Sequence, residues 1–333
     1  MRRLLAITVI PLLACLVIAG CGSSKPSASA SSSSSAAANS NANASVTVAG
    51  VFGTTPVVKI PKLNAGSKLT VKTVIQGTGA TVTKSDAMAV NFVVYFWTGT
   101  SSSLKANTYT SNPTVLGGST MPPFLQTALI GQKVGSRVLA VIPPADGYSA
   151  AQKAQLGITG SPTLVFVIDV LKSYPDTASA SGTQESDGGG PLPTVSAHPG
   201  SAPTVSIPSS KPPTTLITKT LIKGSGPKLV KGEYVVTQYT GYIWRIPQKP
   251  FDSSWPASGQ SGSPFGFVIG ATPEQALSGW DIGLAGQTVG SRVMLVIPPK
   301  DAYGSTGVSQ VGINGTDTLV FVVDIIDAFK PAA

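Results

Sequence analysis

The hydrophobic residues of this chain occur in short, β-branched runs that glycine, proline and asparagine interrupt, a pattern typical of antiparallel strands. In the second half it predicts four strands, Tyr234 to Trp244, Phe265 to Ile269, Arg292 to Ile297 and Leu319 to Ile326. Because few helical stretches separate them, the pattern indicates an α+β fold in which a curved antiparallel sheet wraps on one short helix.

That helix is predicted ahead of Gly286, which would end it. The dipeptide Thr272-Pro273 supplies a cap residue and a first-turn proline, and Gln275 stands at the capping-box position. Apolar residues follow at helical spacing from Leu277 to Leu284. A start at Ser278 fits the pattern as well, so the beginning of the helix is left open between these two positions.

Much of the sequence is an internal repeat. VGSRVLAVIPPADGY from Val134 returns as VGSRVMLVIPPKDAY from Val289, an offset of 155 residues. Upstream the offset is 147, since Trp97 matches Trp244. The second copy therefore has eight additional residues between its tryptophan and its VGSR turn, and it alone carries FDSSW and SGWD. The sequence predicts a tandem duplication of one domain of roughly 120 residues.

Two stretches of small polar residues divide the chain. The first, from Gly22 to Val48, is nearly all Ser, Ala and Asn, and the second, from Thr177 to Pro213, is rich in Ser, Gly and Pro. The first has too few large apolar groups to fold. The chain is thereby divided into a signal peptide over 1–20, a flexible tether over 21–50, a first domain over 51–173, a linker over 174–213 and a second domain over 214–333.

The N-terminus has the order of a secretory signal peptide. Arg2 and Arg3 precede an apolar run from Leu4 to Ala19, and small residues stand before Cys21. The run is short for a membrane-spanning helix. We therefore expect Cys21 to become the lipidated first residue of an extracytoplasmic protein anchored to the cell membrane. Cys15 is a rival acceptor with a shorter apolar run, and an ordinary cleaved signal peptide is a further alternative.

Composition excludes several classes of function. No cysteine follows Cys21, and the single histidine, His198, lies in a Pro/Ser stretch. Disulfides, catalytic triads and His/Cys metal sites are thereby excluded, and no cofactor is predicted. The formal net charge is +9, but the lysines are scattered without a basic run. Nucleic acid is therefore not an expected partner.

The second copy carries a series of motifs in a recognisable order. They are GSGP from Gly224, VVTQYTGY from Val235, FDSSW from Phe251, PFGFVIG from Pro264, SGWDIGLAG from Ser278, VGSRVMLVIPPKDAYG from Val289 and DTLVFVVDI from Asp317. This series resembles the FKBP-type peptidyl-prolyl isomerases over nearly the whole copy. The resemblance implies two FKBP-like domains in tandem. It also places nine residues in a prolyl pocket: Tyr239, Phe251, Asp252, Phe265, Leu277, Trp280, Tyr303, Ile313 and Phe321.

Such a pocket needs no nucleophile. Rotation about an X-Pro bond must cross a barrier of roughly 18 to 20 kcal/mol and takes tens to hundreds of seconds unaided. The planar amide has a large dipole that water stabilises, whereas the twisted transition state has lost resonance and is less polar. A dry aromatic pocket therefore favours the twisted form.

The resemblance also implies a role for each side chain. The proline ring would be held by Trp280, as the floor, with Phe265 and Phe321. Substrate carbonyls would be bound by the Leu277 amide and the Tyr303 hydroxyl. Each of these side chains has an alternative role in the hydrophobic core or in a turn.

Asp252 would order Tyr239 and polarise the site, but here the sequence departs from the family. The family usually has a basic residue that pairs with this aspartate, yet the segment from Ser253 to Ser263 contains no Lys or Arg. The segment from Gly270 to Trp280 is also longer than the family's, which leaves the register of Leu277 open.

The first copy lacks key pocket residues. Aligned through its tryptophan it has Phe92 at the tyrosine position, and aligned through VGSR it has Leu125 at the Trp280 position. Tyr109-Thr110 is expected where Phe251-Asp252 stands. With no acid and no indole, this copy is expected to keep the fold with weak or no activity. A peptide-holding or spacer role is the alternative.

The sequence thus predicts a lipid-anchored isomerase whose second domain acts on proline-containing or unfolded segments of exported proteins. Two alternatives stay open. The first is a non-catalytic, peptide-binding or chaperone-like envelope lipoprotein, and the second is a structural protein in which the repeats act as spacers. A solute-binding lipoprotein is disfavoured, because no alternation of strands and helices supports two α/β lobes.

Overall fold

The computed structural model describes residues 42–117, 121–256 and 262–331. The predicted signal peptide, Cys15, Cys21 and most of the predicted tether lie outside these ranges and stay predictions. Each copy forms its own curved antiparallel sheet with a short helix against it, so the predicted α+β fold is confirmed. Within the described ranges, no helix has the length and apolar character that crossing a bilayer requires.

The first copy begins with a 3-10 turn at Asn43–Ser45. Its strands and helices are β1 (Thr47–Ala49), β2 (Val57–Lys59), β3 (Thr70–Ile75), β4 (Ala87–Thr98), β5 (Ser101–Asn107), β6 (Thr114–Leu116), α1 (Pro123–Leu129), β7 (Arg137–Ile142), α2 (Ala150–Gln155) and β8 (Thr163–Tyr174). Neighbouring strands of the sheet follow the order β3, β7, β8, β4, β5, and β6 also pairs with β4.

The second copy repeats this plan. Its elements are β9 (Thr183–Gln184), β10 (Thr194–Ser196), β11 (Thr204–Ser206), β12 (Ile217–Lys223), β13 (Tyr234–Ile243), β14 (Asp252–Ser253), β15 (Phe265–Val268), α3 (Ser278–Leu284), β16 (Arg292–Ile297) and β17 (Leu319–Phe329), with 3-10 turns at Pro299–Asp301, Gly304–Thr306 and Ser309–Val311. The sheet order is β14, β13, β17, β16, β12, β9, and β15 also pairs with β13.

The four predicted strands are confirmed as β13, β15, β16 and β17. The limits of β16 are as predicted, and the others shift by one to three residues at their ends. The helix begins at Ser278, so a start at Thr272-Pro273 is wrong. Gln275 caps no helix, because its side-chain oxygen accepts a hydrogen bond from the Val268 amide at 3.0 Å.

Each helix packs on one face of its sheet. Leu125 and Leu129 of α1 are fully buried there, and Trp280 and Leu284 of α3 hold the same places in the second copy. The VGSR turn closes each sheet against a glycine. A side chain at Gly224 would collide with the backbone of the VGSR turn, so the first position of the GSG segment must be glycine.

The arginine of each VGSR turn forms a buried ion pair with the next strand. Arg137 and Asp169 are 2.6 Å apart with both side chains fully buried, and Arg292 and Asp324 repeat the distance. Each is a bidentate pair. Because removing one partner would leave a buried charge, loss of either pair would cost about 3 to 5 kcal/mol.

The opposite face of each sheet is covered by a short hairpin. The β1–β2 hairpin lies in a cluster with Trp97, and the β10–β11 hairpin lies in one with Trp244. The predicted tether over 21–50 and linker over 174–213 are therefore wrong in part, since residues from Ala42 and the strands β9, β10 and β11 are packed structure. Average composition misses them because a single inward valine per strand, such as Val205 at 5% exposure, supplies the contact.

The two hairpins are themselves repeats of each other. Thr47 and Val58 of the first correspond to Thr194 and Val205 of the second, at the same offset of 147 that joins the two tryptophans. The tryptophans also bond equivalent backbone carbonyls, since the Trp97 indole donates to Leu63 and the Trp244 indole donates to Ser210, each at 2.9 Å. The duplicated unit thus includes the hairpin.

Candidate active site in the second domain

An aromatic cluster surrounds Trp280, the third residue of α3. Four rings lie with centroids 5.3 to 6.0 Å from the indole at interplanar angles of 74° to 87°: Tyr239 of β13, Phe265 and Phe267 of β15, and Phe321 of β17. Edge-to-face contacts of this kind are favourable for aromatic pairs. Elements distant in sequence thus converge on one indole.

The cluster is buried on one side and open on the other. Trp280 and Phe321 are 3% and 4% exposed, and Ile313 is buried beside them. Tyr239, Phe251, Phe265 and Tyr303 pack against this base but are only half-buried. The arrangement is a partly exposed aromatic surface with the buried tryptophan at its base. The Trp280 Nε1–H meets no acceptor in the described part of the chain, a state that purely structural tryptophans usually avoid.

Asp252 holds Tyr239 directly. The Tyr239 hydroxyl donates to Asp252 Oδ2 at 2.6 Å, and the Ser253 amide donates to Oδ1 at 2.9 Å. Strand β14 places the acid there by pairing Asp252 with Gly241 of β13. At Gly241 a side chain would press on the rings of Phe251 and Phe321, so glycine admits both rings to the site.

Tyr239 and Tyr303 are protonated donors near neutral pH. Burial and the carboxylate of Asp252 raise the pKa of Tyr239 well above its ordinary value of 10. Burial, with a smaller contribution from Asp252, also raises the pKa of Tyr303. In the described ranges no cation lies within 4.0 Å of Asp252, and its carboxylate accepts from the Tyr239 hydroxyl and the Ser253 amide.

The serine after Asp252-Ser253 is a structural part of the site that sequence reasoning missed. Ser254 Oγ accepts from the Tyr239 amide at 2.7 Å and donates to Gln238 Oε1 at 2.5 Å. The first copy offers the signal that could have revealed it. There Thr108 Oγ1 accepts from the Phe92 amide at 2.7 Å. A hydroxyl residue is therefore retained at this position in both copies.

Leu277 lies immediately before α3, which resolves its register. Its backbone is extended, and its N–H has no acceptor among the described residues, so the donor is free for a bound group. The Ser278 hydroxyl donates to the Asp301 carbonyl at 3.1 Å. This bond ties the start of α3 to the 3-10 turn that precedes Tyr303. The structure thus brings together all nine residues that the resemblance implied.

The first domain has other residues at these places. Gly241 pairs with Asp252, and its counterpart Val94 pairs with Ala106. The expected match of Tyr109-Thr110 to Phe251-Asp252 is therefore wrong. A bulge between Val94 and Tyr95 shifts the register, and Lys105 and Ala106 occupy those positions. Leu125 is confirmed at the Trp280 position, third in its helix.

At the place of the aromatic cluster the first domain is closely packed, and a small cleft beside it is lined by Tyr148 and Ile158. Phe92 and Phe166 are each 1% exposed, and Phe124, which replaces Gly279, is 3% exposed. Phe124 packs edge-on against Tyr148 at 5.1 Å and lies 6.2 Å from Phe166. Phe92 and Tyr148 are thus buried here, whereas their counterparts Tyr239 and Tyr303 are half-buried.

Comparison with known proteins agrees with this geometry. The family model of the FKBP-type peptidyl-prolyl cis-trans isomerases matches residues 79–171 and 226–326. The chain is 37% identical over 124 residues to an FK506-binding protein of Streptomyces anulatus, a match covering 37% of this chain and 94% of that protein. It is 34% identical over 126 residues to a probable FK506-binding protein of Corynebacterium glutamicum, covering 38% of this chain and 98% of that protein.

Solved structures give related matches. The crystal structure of AtFKBP13 is 30% identical, with 35% of this chain and 96% of that chain covered and a TM-score of 0.31. The crystal structure of FkpA from Escherichia coli is 34% identical, with 37% and 52% covered and a TM-score of 0.31. Since the family model matches both copies and more than half of the residues, the chain belongs to the FKBP-type peptidyl-prolyl cis-trans isomerases.

Proposed function

We propose that the second domain carries the isomerase activity and that it acts on proline-containing segments of exported proteins while the chain is anchored to the membrane by lipid at Cys21. The observation that carries the assignment to this domain is the Tyr239–Asp252 hydrogen bond at the open rim of the Trp280 cluster. The first domain has Phe92 and Ala106 at the corresponding positions, and these side chains cannot form such a hydrogen bond.

The geometry supports a role for each part of the pocket. A prolyl ring resting on Trp280 would be flanked by Phe265 and Phe321, where water is excluded. The free Leu277 N–H and the Tyr303 hydroxyl are donors for substrate carbonyls on either side of the ring. These hydrogen bonds would hold the substrate backbone in place while the X-Pro bond rotates.

The energetics require only modest selectivity for the twisted amide. A dry, aromatic surface replaces the water that stabilises the planar dipole, so the planar form loses more than the twisted form. Lowering the barrier by about 5 kcal/mol corresponds to a rate gain of several thousandfold. No covalent step and no proton transfer are needed, which fits a site without a nucleophile.

A non-catalytic role in holding proline-containing peptides is the second candidate. The observation in its favour is that Asp252 has no cationic partner in the described ranges. This candidate predicts that an X-Pro peptide binds the full chain without faster isomerisation. The isomerase proposal predicts both binding and acceleration.

The test uses the full chain in a protease-coupled assay with an X-Pro peptide. Asp252→Ala and Tyr303→Phe should each lower kcat/KM by about tenfold, the effect of losing one hydrogen bond to a charged or anchoring group. Tyr148→Phe is the matched control, because Tyr148 occupies the position of Tyr303 in the first domain, and it should leave turnover unchanged. Equal losses from the two tyrosine variants would contradict the assignment to the second domain.

A further inference from the structure

The two domains meet through one compact surface. Its apolar part is a buried cluster to which Ala89 and Tyr174 contribute from the first domain and Tyr234, Val236 and Val268 from the second. Aromatic and β-branched side chains from both domains are removed from water together. The contact is therefore a shared hydrophobic core between the domains.

A polar group borders this cluster. The Tyr174 hydroxyl donates to Asp327 Oδ2 at 3.0 Å, and Lys172 Nζ lies 3.7 Å from the same oxygen. Asp327 is thus held by two side chains of the other domain. Burial, and then the Asp327 carboxylate, raise the pKa of Tyr174, so its hydroxyl stays a donor.

The residues that meet are counterparts in the two copies. Ala89 and Val236 are separated by the offset of 147, and Lys172 and Asp327 by the offset of 155. Strands β6 and β15, which contact each other, hold equivalent places beside β4 and β13. Each domain therefore presents the same patch to the other, which is the arrangement of a two-fold symmetric dimer.

We propose that the first domain is the internal dimer partner of the second, and that Lys172 and Asp327 make this pairing specific for unlike domains. Two first domains paired in this way would bring two Lys172 side chains together, and two second domains would bring two Asp327 side chains together. Like charges at that distance repel, so only the mixed pair gains an attraction. Phe329, the counterpart of Tyr174, has no hydroxyl to donate.

The surface lies directly behind the candidate site. Val236 and Gln238 belong to β13, the strand that also carries Tyr239, and Val268 belongs to β15, the strand that carries Phe265. The Gln238 Nε2 donates at 3.1 Å to the carbonyl of Asp176, in the segment that joins the domains.

Further hydrogen bonds connect Gln238 to the candidate site. Ser254 donates to the Gln238 side chain and accepts from the Tyr239 amide. We expect the pairing of the domains to hold the segment around Asp176 in place and, through Gln238, to position the strand that carries Tyr239. This consequence for turnover rests on the proposed function, whereas the pairing does not.

The test is a charge exchange in the full chain. Lys172→Asp sets two acids against each other and should raise the hydrogen-exchange rates of β13 and β15 amides by about threefold or more. The double variant Lys172→Asp, Asp327→Lys restores opposite charges and should return exchange to the wild-type rate. Lys153→Asp, on an exposed helix of the first domain, makes the same charge change away from the surface and should have no effect.

Each outcome decides the matter. Unchanged exchange in Lys172→Asp, or failure of the double variant to restore it, overturns the pairing. If exchange responds as expected and turnover falls with it, both the pairing and its effect on the site are supported. If exchange responds while the wild-type chain shows no turnover at all, the pairing stands and the proposed isomerase activity of the second domain fails.

Discussion

Trp280 and Leu125 occupy one position in two copies of the same fold, so the chain contains its own natural substitution. In the second domain the indole is the base on which four rings converge. In the first domain the leucine is fully buried in a closed core. This position is one of those at which the half-open aromatic cluster of the second domain differs from the closed core of the first.

Trp280→Leu should therefore impair the site more than the fold. The variant removes the base of the pocket, and we expect turnover of an X-Pro peptide to fall by about a hundredfold, equal to the loss of roughly 3 kcal/mol of transition-state binding. The free energy of unfolding should fall by about 1 to 3 kcal/mol, as for other large-to-small core changes. Kinetics and chemical denaturation of the full chain measure the two effects separately. Leu129→Ala, in the first domain, is a control that should cost stability without the loss of turnover.

The role of a side chain could be predicted from the sequence where the residue type itself indicates the chemistry. It could not be predicted where the role depends only on the position of the residue in the folded structure. Phe251 and Asp252 stand out in FDSSW, and the structure places both at the site. Ser254 and Gly241 matter because of a backbone hydrogen bond and a close ring contact. Neither feature can be seen in composition or periodicity.

At the scale of the element, the hairpins on the outer faces are the main departure from the sequence prediction. Regular strands such as β16 could be predicted at both ends because Arg292 and the five apolar residues after it stand between clear turns. The β10 and β11 strands are three residues each and bury one valine apiece. Such strands cannot be recognised in a stretch rich in Ser and Pro, because they are stabilised by packing on the sheet beneath them and not by a hydrophobic pattern of their own.

Val205→Ser should reveal that contribution. Val205 is 5% exposed and packs in the cluster with Trp244, so the change should lower the free energy of unfolding by about 1.5 to 3 kcal/mol. Val57→Ser is the matched control in the first hairpin, where the side chain is 59% exposed, and it should change stability by less than about 0.5 kcal/mol. Equal effects in urea denaturation would mean that burial of Val205 against the sheet adds no stability.

Helix and strand registers show a similar limit. The sequence allows α3 to begin at Thr272-Pro273 or at Ser278. Tertiary contacts select Ser278, because the side chain of Gln275 accepts a hydrogen bond from β15 and does not cap a helix. The first copy's register at Ala106 depends on a bulge at Lys105 of β5, and bulges leave little trace in a single sequence.

At the scale of the whole molecule, the lipid anchor is a prediction with a direct test. Cys21→Ser should abolish incorporation of radiolabelled lipid and move the protein from the membrane fraction to the soluble fraction, because the anchor is the only membrane attachment that we propose. Cys15→Ser should leave incorporation unchanged. The reverse result would transfer the anchor to Cys15. Turnover should be the same in all variants, since both cysteines precede the folded domains.

The hairpins on the outer faces bear on how the chain arose. Since Thr47 and Val58 repeat as Thr194 and Val205 at the offset that joins Trp97 and Trp244, the hairpin was already present in the ancestral gene product before duplication. In that ancestor the helix packed on one face of the sheet and the hairpin packed on the other. The ancestral domain was therefore longer than the segment that the family model matches. The residues that the fusion event newly placed between two finished units are thus confined to the stretch between β8 and β10.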